Sequence, residues 1–228
     1  MPSAIVVGAS TGIGLAISQR LVAAGWSVTG FARRPSPLAA TGYRHVIADV
    51  AEPGYRALLT AAVEVTPELC IYAAGIGHEL ALPDLTRDAA VFVTNLVGAV
   101  ITAEVIVPRM IAAGAGHLIG LSSQADRIIQ ADAPSYAASK AGMSSYLEGL
   151  ALACRPHGVA ITNLRFGFVD TAMSSASGPR PFLITADRAA AVIERCMRKR
   201  PIRHTFPKRM AAVLWFLRWG ARVRIWAS

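Results

Sequence analysis

The stretch Ala4-Ile5-Val6-Val7-Gly8-Ala9-Ser10-Thr11-Gly12-Ile13-Gly14 decides how the rest of the chain is read. An apolar β-run breaks at glycines and turns into a helical pattern, with Ile13, Ala16, Ile17 and Leu21 on one face and Gly25 as its stop. Such a turn brings free backbone N–H groups and the positive end of a helix to one point, where a pyrophosphate can be held without a charged side chain. Gly8, Ser10, Thr11, Gly12, Ile13 and Gly14 are therefore predicted to bind the phosphates of a dinucleotide.

Outward from this turn, β-rich runs at residues 26–32, 44–48, 69–73, 117–121 and 160–165 alternate with helical runs at 54–65, 86–113, 134–154 and 186–198. A short segment then ends at Pro207. Alternation at these lengths implies βαβ units with right-handed crossovers, hence a parallel sheet covered on both faces. The predicted fold class is α/β, a single Rossmann-like doubly wound parallel sheet of strand order 3-2-1-4-5-6-7. At 228 residues, 54% of them apolar and 16% charged, the chain suits one well-filled domain and excludes a disordered solvating chain. That domain is assigned to residues 1–207.

A second constellation lies in the middle of the chain. Tyr136 and Lys140 are four apart on a predicted helix, so they share a face and the ammonium can stand near the phenol. A nearby positive charge favours phenolate, and this predicts a Tyr136 pKa lowered towards neutrality, as a proton donor at cellular pH requires. Ser123 stands thirteen residues upstream at the end of the fifth strand, with Ser122 beside it as the alternative, and Asn95 lies earlier in Val93-Thr94-Asn95-Leu96.

The glycine spacing GxxxGxG, the YxxxK pair and the upstream serine and asparagine, in this order, resemble the short-chain dehydrogenase/reductase family over nearly the whole chain to about Pro207. The resemblance implies an NAD(P)-dependent oxidoreductase that interconverts a carbonyl and an alcohol on a small or lipid-like apolar substrate. In it, Ser123 orients the substrate oxygen and Tyr136 donates or accepts the proton. Lys140 holds the nicotinamide ribose beside Tyr136, and Asn95 holds a water that links Lys140 to solvent. It further implies cofactor contacts at Asp49 and Val50 after the third strand, at Ala74 and Gly75 after the fourth, and at Gly167, Val169 and Thr171 after the sixth. Asp49 also reads as a simple helix cap. Two other uses of the same residues stay open: a nonenzymatic NADP-binding regulator, and an epimerase or dehydratase without net cofactor consumption.

Cofactor choice is read at the end of the second strand, Gly30-Phe31-Ala32-Arg33-Arg34. Ala32 stands where an NAD enzyme places a carboxylate for the ribose hydroxyls, and Arg33 with Arg34 can pair with a 2′-phosphate. NADP is therefore preferred over NAD, the plainer alternative being two solvated arginines. Two departures from the family pattern stand out. Tyr72-Ala73-Ala74-Gly75 lacks the family's asparagine, and Phe166 replaces a proline, either packing or shaping the pocket. The Ser/Gly/Pro-rich residues 172–184 take the place of a substrate lid.

The net charge of +9 lies entirely in residues 180–228, where twelve Lys and Arg face only Asp187 and Glu194. Residues 208–228 are read as a basic, Trp-rich helix whose apolar run is too short to span a bilayer. It either packs on its own domain or a partner subunit, or lies on an anionic membrane surface. A nucleic-acid partner is not expected, because no recognised module accompanies the charge. The far-apart Cys70, Cys154 and Cys196 read as thiols without a metal site or disulfide. With no basic, apolar leader at the N-terminus, the expected location is cytoplasmic, with the tail free to meet the inner membrane face. The family resemblance adds a homodimer or homotetramer.

Overall fold

The computed structural model describes residues 1–174 and 180–210. β1 (Ser3–Val7) leads into α1 (Gly12–Ala23), β2 (Ser27–Ala32), β3 (Tyr43–Ile47), α2 (Tyr55–Ala62) and β4 (Leu69–Tyr72). α3 (Asp88–Phe92), a π turn (Val93–Val97) and α4 (Gly98–Ala112) then form one rod. After it come β5 (Gly116–Ser123), a 3₁₀ turn (Gln124–Arg127), α5 (Pro134–Cys154) and β6 (Val159–Phe166). The described chain closes with β7 (Val169–Asp170), β8 (Ile184–Thr185), α6 (Ala186–Lys199) and β9 (Arg203–Phe206).

Seven strands pair in parallel in the order β3-β2-β1-β4-β5-β6-β9. The two-residue β7 and β8 pair with each other outside this sheet, so the seventh strand of the expected order is β9. Because β1 lies between β2 and β4, the connections diverge there and open a crevice at the carboxyl ends of the strands.

Side chains alternate across the strands and fill two separate cores. Ile5 and Val7 of β1 point with Cys70, Tyr72 and Leu118 into the layer of α2, α4 and α5, where Leu59, Ile106, Met143 and Leu147 close over them. Ala4 and Val6 point the other way, with Ile71, Ile119 and Phe166, against Ile17 and Leu21 of α1 and Ile193 of α6. Phe166 is thus a packing residue of the second core. The rod Asp88–Ala112 is long and apolar enough to cross a membrane, yet 56% of its most apolar stretch is buried in the fold, as a core helix requires. All three cysteines are free and buried.

The structure departs from the sequence reading in the rod, which was expected as one continuous α-helix. A π turn interrupts it at Val93–Val97. The Tyr72 hydroxyl donates to the Thr94 carbonyl at 2.5 Å, and Asn95 is bonded outside the helix, so the backbone widens by one residue to serve both. Residues 175–179 of the lid stretch and 211–228 of the basic tail lie outside the described residues. Met210 is buried at the start of that tail, with its sulfur 3.2 Å from where a Cβ on Gly167 would lie.

Candidate active site

The glycine turn joins β1 to α1 at the crevice. Gly8 has φ +89° and Gly12 φ +54°, the left-handed backbone that glycine adopts without strain. Gly8 and Ala9 donate to the Phe31 carbonyl at 2.7 and 3.1 Å, lacing the turn to the end of β2. A Cβ on Gly14 would stand 2.1 Å from the Gly8 carbonyl oxygen, so only glycine lets the helix begin this close. Thr11 caps α1 without a side-chain hydrogen bond, and the first turn holds no acidic residue. Its first N–H groups are thus left unbonded by the Thr11 side chain and face no carboxylate of their own turn, which fits the phosphates of a dinucleotide. Thr171 faces the turn from the other wall, its methyl 3.0 Å from a Cβ placed on Gly12.

At the outer end of the crevice Arg33, after β2, reaches Asp49, after β3, at 3.7 Å. Asp49 also accepts from the Ala51 N–H at 3.0 Å, closing a turn, whereas the helix cap read as its alternative falls to Gly54. The Val50 side chain is buried against Gly98 and the core, leaving only its backbone for a ligand. The Arg33 and Arg34 side chains are exposed.

The inner end gathers the polar residues singled out in the sequence. A Cβ on Gly75 would lie 3.3 Å from Asn95 Oδ1, 3.6 Å from Lys140 Nζ and 3.6 Å from Met173 Cε, so all three converge on the end of β4. A Cβ on Gly77 would lie 3.0 Å from the Tyr136 ring. Ser123 accepts from the Ala125 N–H at 3.1 Å and also bonds the Tyr136 hydroxyl. Ser122 is buried against the middle of α5, where it meets Ser144 at 2.8 Å and donates to the Lys140 carbonyl at 3.2 Å. Between the two serines, only Ser123 faces the phenol.

Two details differ from the sequence reading. The Lys140 ammonium lies 5.9 Å from the Tyr136 ring centre and donates to the Leu121 carbonyl at 2.9 Å, turned towards β5. Burial raises the Tyr136 phenol above its ordinary pKa and the Ser123 hydrogen bond only partly offsets this, so the predicted lowering by Lys140 does not occur in the unliganded protein. Burial also brings the Lys140 ammonium down to about 8, because a charge out of water is costly. The Asn95 side chain also ties two segments together. Its Oδ1 accepts from Ile76 N–H at 2.8 Å, while its Nδ2 donates to the Ile76 carbonyl at 2.9 Å and to Ser139 Oγ at 3.0 Å. Ser139 in turn donates to the Tyr136 carbonyl at 2.8 Å, so Asn95 braces the Gly75 loop against the helix that carries Tyr136.

Residues 2–181 match the sequence model of the family described as short chain dehydrogenase. The chain belongs to that family. A short-chain dehydrogenase chain of this kind also has curated relatives. An "Uncharacterized oxidoreductase" of Myxococcus xanthus is 28% identical, covering 92% of this chain and 88% of its own, and another from Staphylococcus saprophyticus is 29% identical, covering 83% and 88%. Among solved structures, a short-chain dehydrogenase from Streptomyces avermitilis superposes with a TM-score of 0.84 at 21% identity, over 99% of this chain and 96% of its own. One from Sphingobium yanoikuyae in complex with NADPH gives 0.82 at 19%, over 100% and 96%. At these identities the structural likeness establishes the fold.

Three further features of this short-chain dehydrogenase escaped the sequence. Ser139 lies inside the YxxxK stretch, and its bridging role needs Asn95 opposite it. Gln124 follows Ser123, is buried, and donates to the Pro207 carbonyl at 3.1 Å, while its Oε1 has no partner among the described residues. Asp126 forms a buried ion pair with Arg165 at 2.5 Å, and no local spacing relates the two.

Proposed function

We propose that this short-chain dehydrogenase is an NADP-dependent oxidoreductase that interconverts a carbonyl and an alcohol on a small or lipid-like apolar substrate. The convergence of Ser123, Tyr136, Lys140 and Asn95 on the end of β4, one crevice away from an uncapped helix N-terminus, carries the reading. Bound NADPH supplies the hydride for the carbonyl carbon. Ser123 orients the oxygen, and Tyr136 donates its proton to it. A phenol kept protonated by burial is a proton donor through neutral pH, which suits the reducing direction. Lys140, still ammonium below about pH 8, offsets the negative charge that the phenol acquires on giving up its proton. Gly8 to Gly14 with Thr171 bind the phosphates, Arg33 and Arg34 the 2′-phosphate, and Ala74, Gly75, Gly167 and Val169 the nicotinamide side. Exposed Met173, Phe182 and Leu183 on the lid stretch favour an apolar substrate. The family likeness supports a homodimer or homotetramer, in line with the apolar groove of Leu96, Val97, Val100 and Tyr146 between α4 and α5.

The test is loss of NADPH absorbance across a panel of apolar ketones and aldehydes. Tyr136→Phe should lower kcat by about 10²–10⁴-fold while NADPH affinity stays within a few-fold. Binding of NADPH without turnover of any carbonyl would favour the regulatory reading, and turnover of substrate without net NADPH loss the epimerase or dehydratase reading.

A further inference from the structure

The loop that carries the arginine pair is held by two side chains of β3 that no motif predicts. In the parallel register Gly30 of β2 pairs with His45 and Val28 with Tyr43, so Tyr43 and His45 stand two apart on one face of the edge strand. Their rings stack at 6.0 Å between centres. The Tyr43 hydroxyl lies 3.0 Å from His45 Nδ1, and His45 Nε2 lies 2.9 Å from the Arg34 carbonyl oxygen. A carbonyl only accepts, so Nε2 carries a proton, and in the tautomer that keeps Nδ1 bare this nitrogen accepts from the Tyr43 hydroxyl. The relay thus runs one way, from Tyr43 through His45 to the backbone of Arg34.

What surrounds the relay fixes it in place. A Cβ on Gly30 would stand 2.2 Å from the Tyr43 hydroxyl oxygen and 2.8 Å from the Ala9 Cβ. The phenol therefore lies directly on the bare backbone of β2, beside the glycine turn. Ser36 also hydrogen-bonds Tyr43 from within the loop, and the Ser36 hydroxyl accepts from Leu38 N–H at 3.2 Å. Arg34 precedes Pro35, which confines its backbone to extended conformations, and His45 removes much of the freedom that remains. Arg33, the neighbouring residue, is steered from the other side by Asp49 at 3.7 Å.

We propose that Tyr43 and His45 form a strap that orients Arg33 and Arg34 for the 2′-phosphate of the dinucleotide, which makes His45 a positioning residue for cofactor choice. This rests on the NADP reading above and deepens it. Without the strap two exposed arginines lose entropy on meeting a phosphate, whereas a backbone already fixed gives up less when the charge-assisted bonds form. Within the strap it is His45 that bonds the arginine loop, at the Arg34 carbonyl, so loss of its hydrogen bonds is expected to act mainly on the group that distinguishes NADPH from NADH.

Calorimetric titration of the full chain with NADPH and with NADH tests this without relying on turnover. His45→Phe keeps a flat ring on β3 but removes both hydrogen bonds, and should reduce the NADPH:NADH affinity ratio about tenfold with NADH affinity changed less than twofold. Tyr43→Phe should reduce the ratio by about threefold, by freeing Nδ1. His45→Gln keeps a donor near the Arg34 carbonyl and should return the ratio to within threefold of wild type. If His45→Phe fails to fold, the Tyr43→Phe and His45→Gln ratios still decide. An unchanged ratio in the variants, or a parallel loss of both cofactors, overturns the strap while leaving the NADP reading intact. A wild-type ratio of one or less overturns the NADP reading itself, before any variant is compared.

Discussion

Ser122 and Ser123 are adjacent, chemically identical and separated in role only by their places on β5. Ser122 is buried against Ser144 in the middle of α5, while Ser123, at the end of the strand, meets Tyr136 near the start of the same helix. The sequence kept both in play, preferring Ser123 by its distance from Tyr136, and the structure separates them by their partners. Ser123→Ala is expected to lower kcat about 10²–10³-fold, as loss of a group that stabilises the reacting oxygen does. Ser122→Ala should leave kcat within threefold and lower stability by about 1 kcal/mol, the worth of its buried hydrogen bonds. Steady-state kinetics and a denaturant melt of both variants check the pair, and equal kinetic losses would contradict the assignment. Tyr136 itself shows why spacing alone was insufficient. The i, i+4 relation put Lys140 on the right face, but its ammonium bonds the Leu121 carbonyl on β5, and burial raises the pKa of the phenol.

Four elements meet behind the site through Asp126 and Arg165. Asp126, on the 3₁₀ turn after β5, accepts from Ser144 of α5 at 2.7 Å and from Arg165 of β6 at 2.5 Å. Arg165 also donates to Thr205 of β9 at 3.2 Å. This holds α5, with Lys140 one turn and Tyr136 two turns before Ser144, against the strand end that carries Ser123. Both partners are about 95% buried, so each needs the other to offset desolvation. Asp126→Asn should destabilise the protein by about 3–5 kcal/mol, because Arg165 is left charged and unpaired. For a chain of this size that is a fall in Tm of roughly 10 °C. Replacing both, Asp126→Leu with Arg165→Met, should recover most of the loss in the same thermal melt, and no recovery would show that the pair is not the cause. Nothing in the local sequence pairs these residues; 39 positions separate them, and only the β5–β6 register brings them together.

The interior of the sheet imposes a pH limit, at the amino end of β5. His117 is buried in β5, hydrogen-bonded to Thr162 of β6 at 2.8 Å, and burial lowers its pKa to about 4 from an ordinary 6.5. The folded protein therefore holds this ring neutral where the unfolded chain would take up a proton. Its contribution is complete above pH 6.5 and is lost as pH falls through 6.5 towards about 4, in all about 3 kcal/mol. His117→Gln should flatten the stability profile over that interval, measured by denaturant melts from pH 7 to 4. A variant profile as steep as wild type would remove His117 from the account. The two cores on either side of the sheet need no such polar device, since each is closed by apolar faces of the helices that flank it.

From the sequence alone came the alternation of strand and helix, the glycine turn, the order of the sheet and the approximate places of Ser123, Tyr136 and Lys140. Each is encoded locally, by periodicity, by the conformational freedom of glycine or by spacing along one helix, and local signals survive without the fold. The tertiary structure alone decided the π turn at Asn95, the bracing of Ile76 and Ser139, the direction of the Lys140 ammonium, the Asp126–Arg165 pair and the strap from Tyr43 to Arg34. These depend on which strand lies beside which and which face a side chain takes. Their energies come from burial and from hydrogen bonds whose partners, even where close in the chain, meet only once strands and helices are packed side by side.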